Sequence, residues 1–242
     1  MDSNCLKVVI IGNSVALRVR PIEVNSQNYN YGQILENGCN KKLNTHIQVL
    51  NLSEGGAIVN DFLGNIDQLI RSYPDVYIIN LGVVDASTRE IPRWFFKIIN
   101  NKKQGVIRSL LKAIYSGIIK RFRRQLTFLR LKTSWVGRRR FKNSLHNLIE
   151  TLVKETNAKI ITLAIHSGNQ RIEHELPGSL KKYQEYSGII KSVTQNNGGF
   201  FISINNMESS VFFPDGVHLS NIGHQYVADL ISRVIVDINS TK

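Results

Sequence analysis

Five short runs of apolar, mostly β-branched residues recur along this chain, and they constrain its fold more than any other feature. They fall at residues 7–11, 46–52, 76–81, 159–165 and 200–204. Most are continuous rather than alternating, which is how a strand buried on both faces reads. Stretches of helical character separate them, at 58–71, 141–155, 180–195 and 221–239. Strands that alternate with helices argue for a parallel sheet with helices on its faces. The expected architecture is a three-layer α/β/α sandwich around a central parallel sheet of about five strands. A chain of 242 residues, 42% hydrophobic, suffices for one domain with its own core, so residues 1–242 are read as a single domain. No internal repeat or low-complexity tract competes with that reading.

The charge is distributed unevenly. The net charge is +13, yet residues 86–145 hold 17 Lys+Arg and a single acid, Glu90. The chain outside that segment is therefore slightly acidic, and the segment reads as a basic helical insertion into the sandwich. Within it, Val106, Ile107, Leu110, Leu111, Ile114, Ile118 and Phe122 recur at helical spacing among Arg108, Lys112, Lys120, Arg121, Arg123 and Arg124. Residues 104–124 thus read as a basic amphipathic helix. Such a helix packs on its own domain with a solvated basic face, or lies on an anionic membrane surface. Nucleic acid is a weaker partner: Trp94, Phe95, Phe96, Phe128 and Trp135 are present, but no nucleic-acid motif accompanies them. Cys5 and Cys39 are the two cysteines, too few for a disulfide scaffold or a cysteine metal site. No secretory signal pattern and no run of 18 apolar residues is found, so the expected location is cytoplasmic, with the inner membrane face as the surface the basic helix would reach.

Chemistry concentrates at the ends of the strand-like runs. In "VVIIGNSVALRVRP", residues 8–21, the first run ends on Gly12-Asn13-Ser14. A serine there serves as a helix N-cap, or as a nucleophile if a general base reaches it. Near the other end, "FFPDGVHLSNIGHQYVADLI" carries Asp215 and His218 just before the last helical stretch. Three residues apart in a turn, both side chains can face one pocket, with Asp215 fixing the imidazole tautomer and His218 taking the serine proton. "NLSEGGAIVNDF" offers Gly55 and Gly56 after the second run, where a glycine lets the backbone approach a ligand and donate an N–H. "VYIINLGVVDAS" ends the third run at Gly82, a third loop at the same sheet edge. There is no metal-ligand spacing and no phosphate loop, so neither a metal nor a cofactor is expected.

This set of blocks resembles the SGNH (GDSL-like) hydrolase superfamily across residues 7–82 and 159–238. The resemblance implies a flavodoxin-like SGNH fold and a serine hydrolase. It matches Ser14 to the nucleophile, Asp215 and His218 to its partners, and Gly56, with Gly55 as the neighbouring option, to the oxyanion-hole glycine beside the N–H of Ser14. Two positions depart from the family pattern. Asn13 stands where the family has aspartate. In the third block Gly82-Val83-Val84-Asp85 places Val84 where the family's oxyanion asparagine belongs.

"GVVDAS...PR" and "NSVALRVRP" also look like SGNH-type proteins of bacterial surface-polysaccharide gene clusters. The implied activity is removal of an O-acyl group, acetyl in the first instance, from a carbohydrate that is anionic or lipid-linked. Asn13, Arg18, Arg20, Arg89 and Arg93 are the expected substrate-binding residues, because arginine pairs with carboxylate and phosphate in fork geometry. Two alternatives stand beside it: an O-acetyltransferase on the same residues, and a binding or membrane-peripheral module weakened at Val84. His166 sits at the active edge and reads as a structural histidine. His46, His146, His174 and His224 carry no argument beyond composition.

Overall fold

The computed structural model describes residues 5–24, 26–42, 46–100, 105–204 and 208–240. Gln104, the first residue of the expected amphipathic helix, lies outside them. Five strands, β1 (Cys5–Gly12), β2 (His46–Asn51), β3 (Val76–Asn80), β4 (Lys159–Leu163) and β5 (Phe200–Ile202), form one sheet in the order β2-β1-β3-β4-β5. Every pairing is parallel. β1 lies between β2 and β3, with Val8 opposite Val49 on one side and Val76 on the other. Val8 to Ile11 and Val76 to Ile79 are buried, as continuous apolar runs require.

Twelve α-helices are found among the described residues. They are α1 (Tyr31–Lys42), α2 (Val59–Leu63), α3 (Ile66–Ile70), α4 (Val83–Ala86), α5 (Arg93–Ile99), α6 (Val106–Ile114), α7 (Arg123–Leu129), α8 (Arg138–Thr156), α9 (Gln170–Glu175), α10 (Ser179–Asn196), α11 (Ser209–Phe212) and α12 (Asn221–Ser240). α1 packs on α12, and α8 packs on α2, α3 and α10, giving a helical layer on each side of the sheet. The α/β/α sandwich with its parallel sheet is therefore the observed fold.

Three local features differ from the sequence reading. The stretch 58–71 is two short helices, because Gly64 and Asn65 close α2 before α3 begins. α1 carries no strong helical pattern of its own, and is held by Tyr31 and Leu35, which are buried. The expected helix over 104–124 is α6, a π turn at Tyr115–Ile119, and a break at Phe122 before α7.

Residues near the start of the basic segment are tied to residues that follow α7. Thr88 and Ser134 form an antiparallel bridge, the Arg89 N–H donates to Thr133 O at 3.0 Å, and the Ser134 hydroxyl donates to Ala86 O at 2.6 Å. Glu90, the segment's one acid, has a buried carboxylate. It accepts from the Tyr115 hydroxyl at 2.8 Å and pairs with Arg123 at 3.3 Å, while Arg123 also reaches Glu175 at 2.6 Å. A buried carboxylate needs partners of this kind to remain in an apolar setting.

Candidate active site

In an open parallel sheet, ligands bind beyond the carboxyl ends of the strands, at the point where the connections turn in opposite directions. Here that point is the end of β1, and the chain there is shaped by Gly12. A Cβ on Gly12 would lie 2.9 Å from both Ala16 Cβ and Ser53 Oγ, and 3.1 Å from Asn80 O. Only glycine lets the end of β1 pass so close to the loop that follows β2 and to the last residue of β3. The Asn13 side chain then accepts from the Val15 N–H at 3.1 Å and caps a 3-10 turn over Ser14–Ala16. That turn holds Ser14 partly exposed at the sheet edge.

The loop after β5 comes back over this turn. The Arg20 N–H donates to Leu219 O at 2.9 Å, tying the two chain segments together. His218 Nε2 lies 2.9 Å from Ser14 Oγ, and His218 Nδ1 lies 2.7 Å from Asp215 Oδ2. The other oxygen, Asp215 Oδ1, accepts the backbone N–H groups of Val217 and His218 at 2.9 and 2.7 Å. Burial pushes the Asp215 carboxyl up, but these hydrogen bonds outweigh it and hold the group down at about 2. An ionised carboxylate only accepts, so Nδ1 carries the imidazole proton and Nε2 is left to accept from the serine hydroxyl.

The second and third loops border the same place. The Glu54 N–H donates to Gly12 O at 3.0 Å. Gly56 has φ +77, and a Cβ there would meet Phe96 at 3.0 Å. Positive φ together with that ring makes glycine the residue that fits. Asp85, fully buried, accepts the Val59 N–H at 3.1 Å and so joins the third loop to the helix that follows Gly56. Burial pushes its carboxyl up to about 7. Val84 is buried in α4, where it presents no side-chain donor.

The arginines separate into different surroundings. Arg18 is exposed, with Nη2 3.5 Å from the position of a Cβ on Gly55. Arg93 pairs with Asp61 and lines a cleft of about 350 Å³ with Gly55, Gly56 and Phe96. Arg20 meets the site through its backbone. Arg89 is engaged internally: it donates to Val84 O at 3.2 Å and lies over the Trp135 ring at 4.2 Å. Its expected place among substrate contacts is not where its guanidinium sits.

Two histidines hold the frame. His224 accepts the Tyr31 N–H on Nδ1 at 3.1 Å, and its Nε2 lies 3.3 Å from Arg18 O. It thereby joins α12 to α1 and to the turn after Ser14. Its role depends on Tyr31 and Arg18, both remote in sequence, so no local pattern signals it. His166 accepts the Gly168 N–H at 2.9 Å and stacks on Phe213, ring centroids 4.0 Å apart. Burial pushes His224 down to about 4 and His166 down to about 3.

The model of the GDSL-like lipase/acylhydrolase family matches residues 8–231. The chain belongs to that family, the SGNH serine ester hydrolases. Among curated protein sequences none matches it. Solved structures of similar fold include Axe2, an acetylxylan esterase from Geobacillus stearothermophilus, at 17% identity and a TM-score of 0.60 over 94% of this chain and 93% of that one. A lipase/acylhydrolase from Enterococcus faecalis gives 16% and 0.60 over 95% of each chain. The acetyl xylan esterase AlAXEase gives 16% and 0.63 over 95% of this chain and 100% of that one. At these identities the likeness is one of fold.

The buried side chains set a pH dependence. His166 and His224 are held neutral in the native state, so below 6.5 the unfolded chain binds the extra proton and stability falls as the pH falls, by about 1.4 kcal/mol per pH unit per ring. Asp85 works the opposite way, since its raised carboxyl is protonated first in the native state. Between pH 6 and 4.5 the sum is a net loss of roughly 1.4 kcal/mol per unit. Urea unfolding across that window should show it, with a flatter slope in His224→Gln and a steeper one in Asp85→Asn. A wild-type midpoint that does not move contradicts it.

Proposed function

We propose that this chain is a serine esterase that removes an O-acetyl group from a carbohydrate. The observation that carries the reading is the hydrogen-bonded series Ser14, His218, Asp215 at the carboxyl edge of the sheet. Ser14 Oγ attacks the ester carbonyl while His218 Nε2 takes its proton. The carbonyl oxygen becomes an oxyanion, held by the N–H groups of Ser14 and Gly56. The C–O bond to the sugar then breaks, and the imidazolium returns its proton to the leaving sugar oxygen. Water repeats the sequence on the acyl-serine: His218 takes a proton from it, acetate departs, and Ser14 recovers its hydroxyl. Asp215 stays ionised throughout and stabilises the imidazolium, since its carboxyl is held near 2.

Carbohydrate as the substrate class is supported by neighbours of the same fold that are described as acetylxylan and acetyl-xylooligosaccharide esterases. In one of them the catalytic mutants carry substitutions at an aspartate and at a histidine three positions later, the spacing of Asp215 and His218. The exposed guanidinium of Arg18 beside Gly55 suits a carboxylate or phosphate on the sugar, as an anionic surface-polysaccharide intermediate would present. Asn13 contributes by shaping the turn that presents Ser14.

Acetate release from acetylated xylooligosaccharides tests the reading. Ser14→Ala is expected to lower kcat by at least about a thousandfold with folding intact. Release that is unchanged in that variant overturns it. Acetyl transfer to an added sugar in preference to water would instead make the chain a transferase on the same residues. The third block gives a second expectation. Val84→Asn supplies the amide donor of the family pattern, and kcat should rise by roughly ten- to a hundredfold. A kcat that stays level would show that the two backbone donors suffice.

A further inference from the structure

The proposed chemistry leaves unused the outer side of α6 and of the π turn that continues it. This stretch, Val106–Ile119, has no buried residue. Its inner side is fastened. Arg108 donates to Ile99 O at 3.3 Å, and Tyr115 donates to the buried Glu90 at 2.8 Å. Its flank is open: Val106, Ile107, Leu110, Ile114 and Ile118 are between 37% and 87% exposed and follow one another at helical spacing. A row of that kind in water loses the hydrophobic gain that would otherwise favour the helix, so it marks a surface that something covers.

We infer that this row lies on an anionic lipid surface. The argument is one of charge. Lys112, Lys120, Arg121 and Arg124 are exposed, and none forms an ion pair among the described residues. Between Glu90 and Glu150 the sequence contains no acid at all. A second copy of the chain set on the same face would bring two such basic runs together with no carboxylate to match them. Nucleic acid would take the cations but give nothing to a row of valine, leucine and isoleucine. Anionic lipid answers both features, with headgroups for the cations and acyl chains for the apolar row.

The helical stretch spans about 20 Å, and no helix among the described residues is long and apolar enough to cross a membrane. The element therefore lies in the plane of the interface. α5 packs against α6, exposes Trp94, and sets Phe96 against Gly56. The lipid-facing helix is thus one helix removed from the reacting loop, which would place the site beside the membrane surface. The inference does not depend on the esterase reading.

Vesicle co-sedimentation tests it with the full chain. Phosphatidylcholine vesicles are compared with vesicles containing about one-third phosphatidylglycerol, each at low and high salt. The anionic vesicles should bind at least about tenfold more protein, and high salt should remove most of that difference. Anionic vesicles carrying brominated acyl chains should quench Trp94 fluorescence in the wild type. Leu110→Asp with Ile114→Asp should reduce binding at least about tenfold, and so should Lys120→Glu with Arg121→Glu and Arg124→Glu. Far-ultraviolet circular dichroism and an unchanged unfolding midpoint report that both variants fold, whatever the catalytic activity of the chain. Equal binding to neutral vesicles, binding to neither, or wild-type dimers in solution that shield Trp94 while vesicles stay bare would overturn it.

Discussion

Parallel pairing of the first strand on both sides is the constraint from which the site follows. β1 runs between β2 and β3 with its apolar side chains buried. Its carboxyl end has to emerge where the connections diverge, and Gly12 lets it do so between the loop after β2 and the end of β3. Ser14 is then fixed at the edge by a capped turn rather than by its own packing. Because every strand is parallel, the chain returns to the same edge each time. The loop bearing Asp215 and His218 arrives there 204 residues after Ser14 in sequence and is tied down by the bond from Arg20 to Leu219.

Electrostatics distributes roles among similar groups by surroundings alone. Asp215 and Asp85 are both buried to some degree, yet they move in opposite directions. Asp215 accepts from an imidazole and two backbone N–H groups, whereas Asp85 has one oxygen without a partner. The first is set to stay charged beside His218, and the second props a loop. Three histidines likewise divide. His218 faces the serine, while His166 and His224 are held neutral in the frame around it.

Much of this was legible in the sequence because it rests on strong local patterns. Continuous β-branched runs announce buried parallel strands, and a serine after the first with D-x-x-H before the last helix announces the family. What was illegible depended on tertiary contacts. α1 contains Gly32, Gly38 and Asn37, poor helix formers, and stands because Tyr31 and Leu35 are buried. Arg89 and Arg93 look alike in sequence, but one stacks on Trp135 and the other pairs with Asp61. The apolar residues of 104–124 have helical spacing, but the spacing does not disclose that they face outward, since amphipathicity is the same for a core-facing and a surface-lying helix. His224 gains its role from Tyr31 and Arg18, both distant in sequence.

The central claim is that Ser14 is the nucleophile, and covalent capture tests it most directly. The protein is treated with a fluorophosphonate, its intact mass is measured, and the modified peptide is mapped. The account predicts one adduct, on Ser14, formed more slowly in His218→Ala because the hydroxyl then lacks its base. An adduct that maps to another residue, or that persists in Ser14→Ala, would contradict it.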